Sequence, residues 1–193
     1  MNKIKRNLSK YLKSLIPLLV AIITCLFLFN ENDVLLEKLN ENVTLIEKYN
    51  KFKSAGINKT IEFPENIIEK IIDTAMSFVG TPNKIGGIDK SGIDASGLVY
   101  VSIKKNSNTL FPRIAQDMAR YGLFISDSDN LKRGDLVFFH DTYEVNRIIT
   151  SVGIYLGDGE FINSSSSKGV TVSDINDPYY WKEKFFFGTR ILN

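Results

Sequence analysis

Cysteine, histidine and tryptophan each occur once in the 193 residues, and proline only five times. A single cysteine excludes an internal disulfide, and one cysteine with one histidine leaves no ligand set for a structural zinc. Charge of one sign is also scarce, for the formal net charge is only +2. Lys3, Lys5, Arg6, Lys10 and Lys13 all fall in the first 29 residues, which hold no Asp or Glu, so the rest of the chain is mildly acidic. A body without a basic field lacks the electrostatic footprint of a DNA- or RNA-binding protein, and no nucleic-acid partner is expected. No Gly-rich phosphate loop, internal repeat or histidine cluster appears, so neither a cofactor nor a metal is implied. What is present is apolar material: 44% hydrophobic and 11% aromatic residues against 24% charged. That composition supports one buried core, and the length allows one domain of roughly 100–150 residues with appendages.

The first appendage is the run from Leu15 to Phe29, uncharged and interrupted only by Pro17 and Thr24. With the basic residues 1–14 before it, the run predicts a transmembrane signal-anchor over 15–29, its basic flank in the cytoplasm and all that follows on the far side of the membrane. Fifteen helical residues reach roughly 22 Å, short of a ~30 Å hydrocarbon core, and Tyr11, Leu12 and a snorkelling Lys13 extend the span. Cleavage is disfavoured because Leu26-Phe27-Leu28-Phe29-Asn30 offers no small-residue site. Lipidation at Cys25 is disfavoured because Thr24 precedes it and apolar residues continue beyond it. Residues 30–63 then read as a stalk helix and linker. Leu36, Leu39, Val43 and Ile46 recur at spacings of three and four, giving one apolar face to pack on the domain or on a neighbour. Gly56 lies at the centre of the linker, from Ser54 to Thr60.

Residues 64–193 read as the globular domain. Ile67, Ile68, Ile71, Ile72, Ala75, Met76 and Val79 predict a core helix opened by Pro64 and stopped by Gly80 and Pro82. Asp94 is a good N-cap for a second helix from Ala95 to about Ile103. A third begins at Pro112, with Ile114, Met118 and Tyr121 on one face. The periodicity then changes to strands over Leu136–Phe139, 148–156, 160–163, 170–172 and 185–191, with Gly157-Asp158-Gly159 as a tight hairpin turn. Helices first and antiparallel strands after them make an α+β domain.

Two segments carry the motif signal, Ser91-Gly92-Ile93-Asp94-Ala95-Ser96-Gly97-Leu98-Val99 and Ser151-Val152-Gly153-Ile154-Tyr155-Leu156-Gly157-Asp158-Gly159. With Gly134-Asp135-Leu136-Val137-Phe138-Phe139 between them, and Gly80-Thr81-Pro82 and Gly86-Gly87 ahead, the domain resembles the NlpC/P60 family of cell-wall cysteine peptidases. The resemblance implies a papain-like fold, in which a helix carrying the nucleophile packs on an antiparallel sheet carrying the base. It also implies hydrolysis of amide bonds in peptidoglycan stem peptides by a Cys, a His and a third polar residue.

Those positions fall on Ala95, Ser151 and Asn163, and the tyrosine that the family places in its cleft falls on Asn83. Asp94 and Ser96, which in the family help to hold the substrate, are kept. A methyl group has no lone pair with which to attack a carbonyl, and a serine hydroxyl is far too weak a base to replace imidazole. An engineered Cys-to-Ala exchange would account for Ala95 alone, not for Ser151 and Asn83 with it. The expectation is a catalytically inactive, membrane-anchored domain that binds or scaffolds in the bacterial envelope, with an envelope protein or a stem peptide as partner. The alternative is a stem-peptide endopeptidase, either with displaced catalytic groups, Ser96 attacking and His140, the only histidine, as base, or as an engineered knockout of an active enzyme.

Overall fold

The computed structural model describes residues 36–40, 43–145 and 147–191. The basic flank and the expected signal-anchor lie outside them, and no helix among the described residues is long and apolar enough to cross a membrane. The chain divides into two compact units, Met1–Tyr49 and Asn50–Asn193. Helix α1 covers residues 36–40 and 43–54, and the Thr44 hydroxyl donates to the Asn40 carbonyl one turn back at 2.9 Å. In the first unit its apolar residues Leu36, Leu39, Val43 and Ile46 are exposed.

The second unit begins earlier than the expected boundary at residue 64, and its first residues explain why. Phe52 is buried against the ring of Phe187. The Arg120 guanidinium lies 4.6 Å over the Phe52 ring and donates to the carbonyls of Phe52 and Gly56 at 3.1 and 2.9 Å. Lys59 N–H donates to the Arg120 carbonyl, and Gly122 N–H to the Lys59 carbonyl. The expected linker is therefore stitched to the domain by its own backbone.

Helix α2 (Ile68–Met76) buries Ile71, Ile72 and Ala75. It starts after the expected Pro64 because Asn66 has φ of +57°, outside the helical region. Strands β1 (Ile88–Asp89) and β2 (Gly92–Ile93) pair as a short hairpin, and α3 (Ala95–Asn106) follows Asp94 as N-cap. Helix α4 (Ala115–Met118) is shorter than expected from Pro112, since Ile114 is extended. It is followed by β3 (Leu123–Ile125), which three residues without alternation did not announce.

The remaining elements are β4 (Leu136–Phe139), β5 (Ser151–Gly157), β6 (Glu160–Ser165), β7 (Gly169–Asp174), α5 (Trp181–Lys184) and β8 (Phe185–Arg190). Strands β3 to β8 form one antiparallel sheet in the order β3-β8-β4-β5-β6-β7. Helix α3 packs on β5 and β6. Val137, Phe139, Tyr155 and Phe161 form a core cluster with Ile125, Leu131, Ile175 and Trp181. The Trp181 ring stands 4.8 Å from Phe139 and 5.1 Å from Phe161, so α5 caps that cluster with one aromatic side chain. This is the expected α+β architecture.

Two ion pairs fasten the sheet margin. Arg133 grips Glu69 of α2 through Nε and Nη2, which holds the Glu69 carboxyl below its ordinary pKa. Its stabilisation is present above the unfolded carboxyl pKa and is lost as pH falls through the lowered one, and exposure keeps it small. The second pair is buried. Asp135, 2% exposed, accepts from Arg190 Nε at 2.9 Å, from Arg190 Nη2 at 2.7 Å and from Lys132 N–H at 2.7 Å. Removing one partner strands a charge in the interior, so Arg190→Met is expected to cost about 2–4 kcal/mol in urea unfolding. A loss below about 1 kcal/mol would show that water replaces the guanidinium at Asp135.

Candidate functional site

The candidate site is assembled where the loop from Gly80 to Asp94 meets the start of α3 and the edge of the sheet at β6 and β7. Gly80 N–H donates to the Val170 carbonyl, and Val170 N–H returns a bond to the Thr81 carbonyl, which lays the loop along β7. Gly169 makes this approach possible, since a side chain there would collide with the Thr81 carbonyl. Further along, the Ser164 hydroxyl donates to the Ile93 carbonyl at 2.7 Å and accepts from Asn83 Nδ2 at 2.9 Å. Ser164 thus fastens both arms of the loop to β6. β6 runs two residues beyond the expected 160–163 strand, through Ser165.

The other anchor is Asp94. Its Oδ1 accepts from Gly97 N–H at 2.6 Å and from the Ser96 hydroxyl at 3.3 Å. Its Oδ2 accepts from Gly86 N–H at 2.6 Å and from Arg113 Nη2 at 3.0 Å, and Arg113 Nη1 stands 2.9 Å from Oδ1. Arg113 also donates to the Ser96 hydroxyl at 2.8 Å and to the Gly87 carbonyl at 3.0 Å. One carboxylate therefore caps α3, holds the Gly86-Gly87 turn and neutralises a cation. Gly97 lets the turn sit this close, because a Cβ there would overlap the Gly87 carbonyl.

Of the residues expected from the sequence, Asn83, Asp94, Ala95 and Ser96 are brought into one neighbourhood by these bonds. Ala95 is the first residue of α3, two positions beyond Ile93, and Asn163 directly precedes Ser164. Ser151 opens β5, the strand beside β6. Since Ile154 pairs with Ile162, Ser151 and Asn163 both lie towards the same end of the β5–β6 ladder. Asn163 is 0% exposed, and neither Oδ1 nor Nδ2 has a hydrogen-bond partner. A buried amide left so costs of the order of 1–3 kcal/mol.

His140 is not joined to Ser96 by any bond. Its Nδ1 lies 2.8 Å from the Asp141 carboxylate and its ring stands against Phe186, whereas the Ser96 hydroxyl is shared between Asp94 and Arg113. No group of three or more potential metal ligands occurs among the described residues.

Arg113 and Ser164 were not found by reading the sequence. Neither stands in a motif that spells out its role: Arg113 follows Pro112 as one cation at an expected helix start, and Ser164 begins a run of four serines. Arg113→Ala removes every guanidinium bond in this cluster and is expected to cost about 2–3 kcal/mol, with Arg113→Lys restoring little because an ammonium cannot reproduce the forked contact. Thermal or urea unfolding measures it. Full stability in the alanine variant would mean that Gly86 and Gly97 alone suffice to hold Asp94.

Comparison with known proteins agrees with this geometry. The model of the NlpC/P60 family matches residues 80–190, which take in the loop, α3 and the sheet. Over 128 residues the chain is 33% identical to the murein DD-endopeptidase MepS/murein LD-carboxypeptidase of Escherichia coli K12, a match covering 66% of this chain and 65% of that protein. The chain thus spans slightly less than two thirds of that relative's length. It is 38% identical over 125 residues to the probable endopeptidase NlpC of the same organism, covering 65% of this chain and 79% of that one. Among solved structures, an NlpC/P60 family protein from Bacillus cereus superposes with a TM-score of 0.59 at 27% identity, over 68% of this chain and 42% of the other. By its ordered motifs, its antiparallel sheet carrying α3, and these matches, the chain belongs to the NlpC/P60 family.

Proposed function

We propose that this chain is a catalytically inactive NlpC/P60 domain that binds or scaffolds in the bacterial cell envelope. In this reading residues 15–29 hold it in the cytoplasmic membrane, residues 1–14 remain inside, and everything after residue 29 lies outside, with the stalk ending where Asn50 opens the domain unit. The observation that carries the proposal is Asn163. The family resemblance gives that position the task of orienting an imidazole, and here the amide is buried with no partner while Ser151 holds the place of the imidazole. An orienting group has outlived the base that it oriented.

Ala95 adds the second loss. It stands at the first turn of α3, where helix N–H groups would favour a thiolate, and offers only a methyl. Losing nucleophile or base from a coupled triad costs on the order of 10⁶ in turnover, about 8 kcal/mol of barrier. The bonds of Ser96 and His140 lead to other groups than each other, which gives the displaced-site alternative no support. Where the family resemblance implies a substrate cleft, this reading finds the small uncharged groups Asn83, Ala95 and Ser151, which suit an envelope protein segment or a stem peptide because little must be desolvated to meet them.

The full-length protein is expected to release no product from muropeptides above the blank. Turnover that disappears in Ser96→Ala would overturn the inactive reading. Ala95→Cys with Ser151→His is expected to give at most weak activity, and adding Asn83→Tyr to raise it. Binding is read separately by titrating stem peptide into the unsubstituted chain in calorimetry, with Ala95→Trp as the blocking variant.

Attachment has its own measurement. The protein is expected to stay with membranes through high-salt and carbonate washes and to need detergent for release, because the 15–29 run is held by apolar burial and not by charge. Recovery in a wash with a new N-terminus near Asn30 would reverse the anchoring part of the proposal, and loss of attachment in Cys25→Ser would replace the anchor by a lipid.

A further inference from the structure

Residues 76–79 and 85–90 bring exposed aliphatic side chains and ammonium groups onto one face of the domain. Ile85 is 92% exposed, and Met76, Val79 and Ile88 are 41–52% exposed. Lys90, in the turn between β1 and β2, donates to the Ser77 carbonyl at 2.6 Å, which draws that hairpin against the end of α2 between Met76 and Val79. Its ammonium stands 5.6 Å from the centre of the Phe78 ring, and that of Lys105 in α3 stands 5.2 Å from the same ring. Lys104 reaches over Tyr100, and Lys84 lies against Gly92 of β2. Gly86 has open space where a Cβ would stand, so Ile85 rides on a protruding turn and not in a groove. We infer that this face rests on an anionic lipid bilayer, with Ile85 inserted at the headgroup boundary and the four lysines against lipid phosphates.

Charge complementarity selects the occupant. Among the described residues no carboxylate stands within ion-pair distance of Lys84, Lys90, Lys104 or Lys105. The acids nearest in sequence are engaged elsewhere: Asp73 adds to the field at Arg133, Asp94 holds Arg113, and Asp89 accepts from the N–H and hydroxyl of Ser91. Those Ser91 bonds, with a smaller contribution from Lys84, hold Asp89 below the ordinary carboxyl pKa, so it stays charged and offsets one lysine of the four. A protein partner would be met by other side chains. Binding hot spots are rich in Trp, Tyr and Arg, and interfaces are poor in Lys. This face offers Ile, Val and Met ringed by Lys, the pattern of a segment that sits in a bilayer interface.

An anchor at 15–29 would keep the domain beside a bilayer, but the domain's own surface decides which face turns to it. Retention at the membrane rests on the anchoring proposal. The identity of the face does not. Each basic residue held near an anionic surface favours contact by about fivefold, and salt screens that attraction. Burial of Ile85 adds an apolar contribution that salt does not screen.

The test uses full-length protein with Cys25→Ser, reconstituted in phosphatidylglycerol vesicles and carrying one thiol labelled with an environment-sensitive dye. Ile85→Cys places the dye on the proposed contact, and Tyr179→Cys serves as control. Tyr179 is 95% exposed and follows the end of β7 remote from Gly169, so it reports the dye's own affinity for lipid. The dye at Ile85 is expected to shift to the blue and to be quenched several-fold more by a lipid-borne quencher than the dye at Tyr179. Phosphatidylcholine vesicles, molar salt, or Lys104→Gln with Lys105→Gln should each lower that quenching. Equal quenching at the two positions, or quenching at Ile85 indifferent to lipid charge, salt and lysines alike, would overturn the inference. A blue shift at Ile85 in native membranes but not in lipid vesicles would overturn it in favour of an envelope protein at this face. If carbonate strips the chain from membranes, the anchor is refuted and the labelled chain is added to preformed phosphatidylglycerol vesicles. Selective quenching at Ile85 there sustains the face, and its absence refutes it.

Discussion

The carboxylate of Asp94 organises the site because three structural demands meet on two oxygen atoms. Helix α3 needs an acceptor for an unsatisfied N–H of its first turn, the Gly86-Gly87 turn needs one for Gly86, and Arg113 needs a counter-charge once half withdrawn from water. Asp94 meets all three through Gly97, Gly86 and the two guanidinium nitrogens. Asparagine could cap the helix, but it would present one oxygen and one amide group where two acceptors are required, and would leave the cation uncompensated. The position of Ala95, and hence of whatever chemistry that residue could have had, follows from this cap.

Ser164 complements it from the sheet. By donating to the Ile93 carbonyl and accepting from Asn83 it fixes both arms of the loop before α3 to β6. The Tyr-to-Asn departure from the family pattern therefore does more than remove a ring, because Asn83 spends its amide on a bond within the protein. At the position where the family resemblance implies a cleft tyrosine, the side chain is a tie between loop and strand. This accounts for the expectation that restoring cysteine and histidine alone recovers little.

Helix α3, its cap and the hairpin from β5 to β6 were legible in the sequence because each announces itself locally, in Asp94 before an apolar stretch and in Gly157-Asp158-Gly159 between alternating residues. The less legible parts have non-local causes. The short α4 depends on the extended Ile114, β3 exists only because β8 offers it a partner, and the docking of Phe52 depends on Arg120 and Phe187, far along the chain. At the site, Ala95, Ser151, Asn163 and Asn83 were assigned only by position within ordered motifs. Arg113 and Ser164 were missed because a bond across the fold leaves no spacing to read. The run from Leu15 to Phe29 rests on its sequence alone.

The retained residues divide by what they touch. Asp94 and Ser96 would be kept by any chain that needs α3 capped and Arg113 compensated, so their presence is explained by folding without appeal to a substrate. Asn163 is different: its side-chain amide bonds no group of the protein and costs desolvation, a burden that a leucine there would not carry. Stability alone would favour its replacement. Its retention is therefore not explained by the architecture that Asp94 and Ser164 hold together, and under the proposed reading it belongs to the site instead.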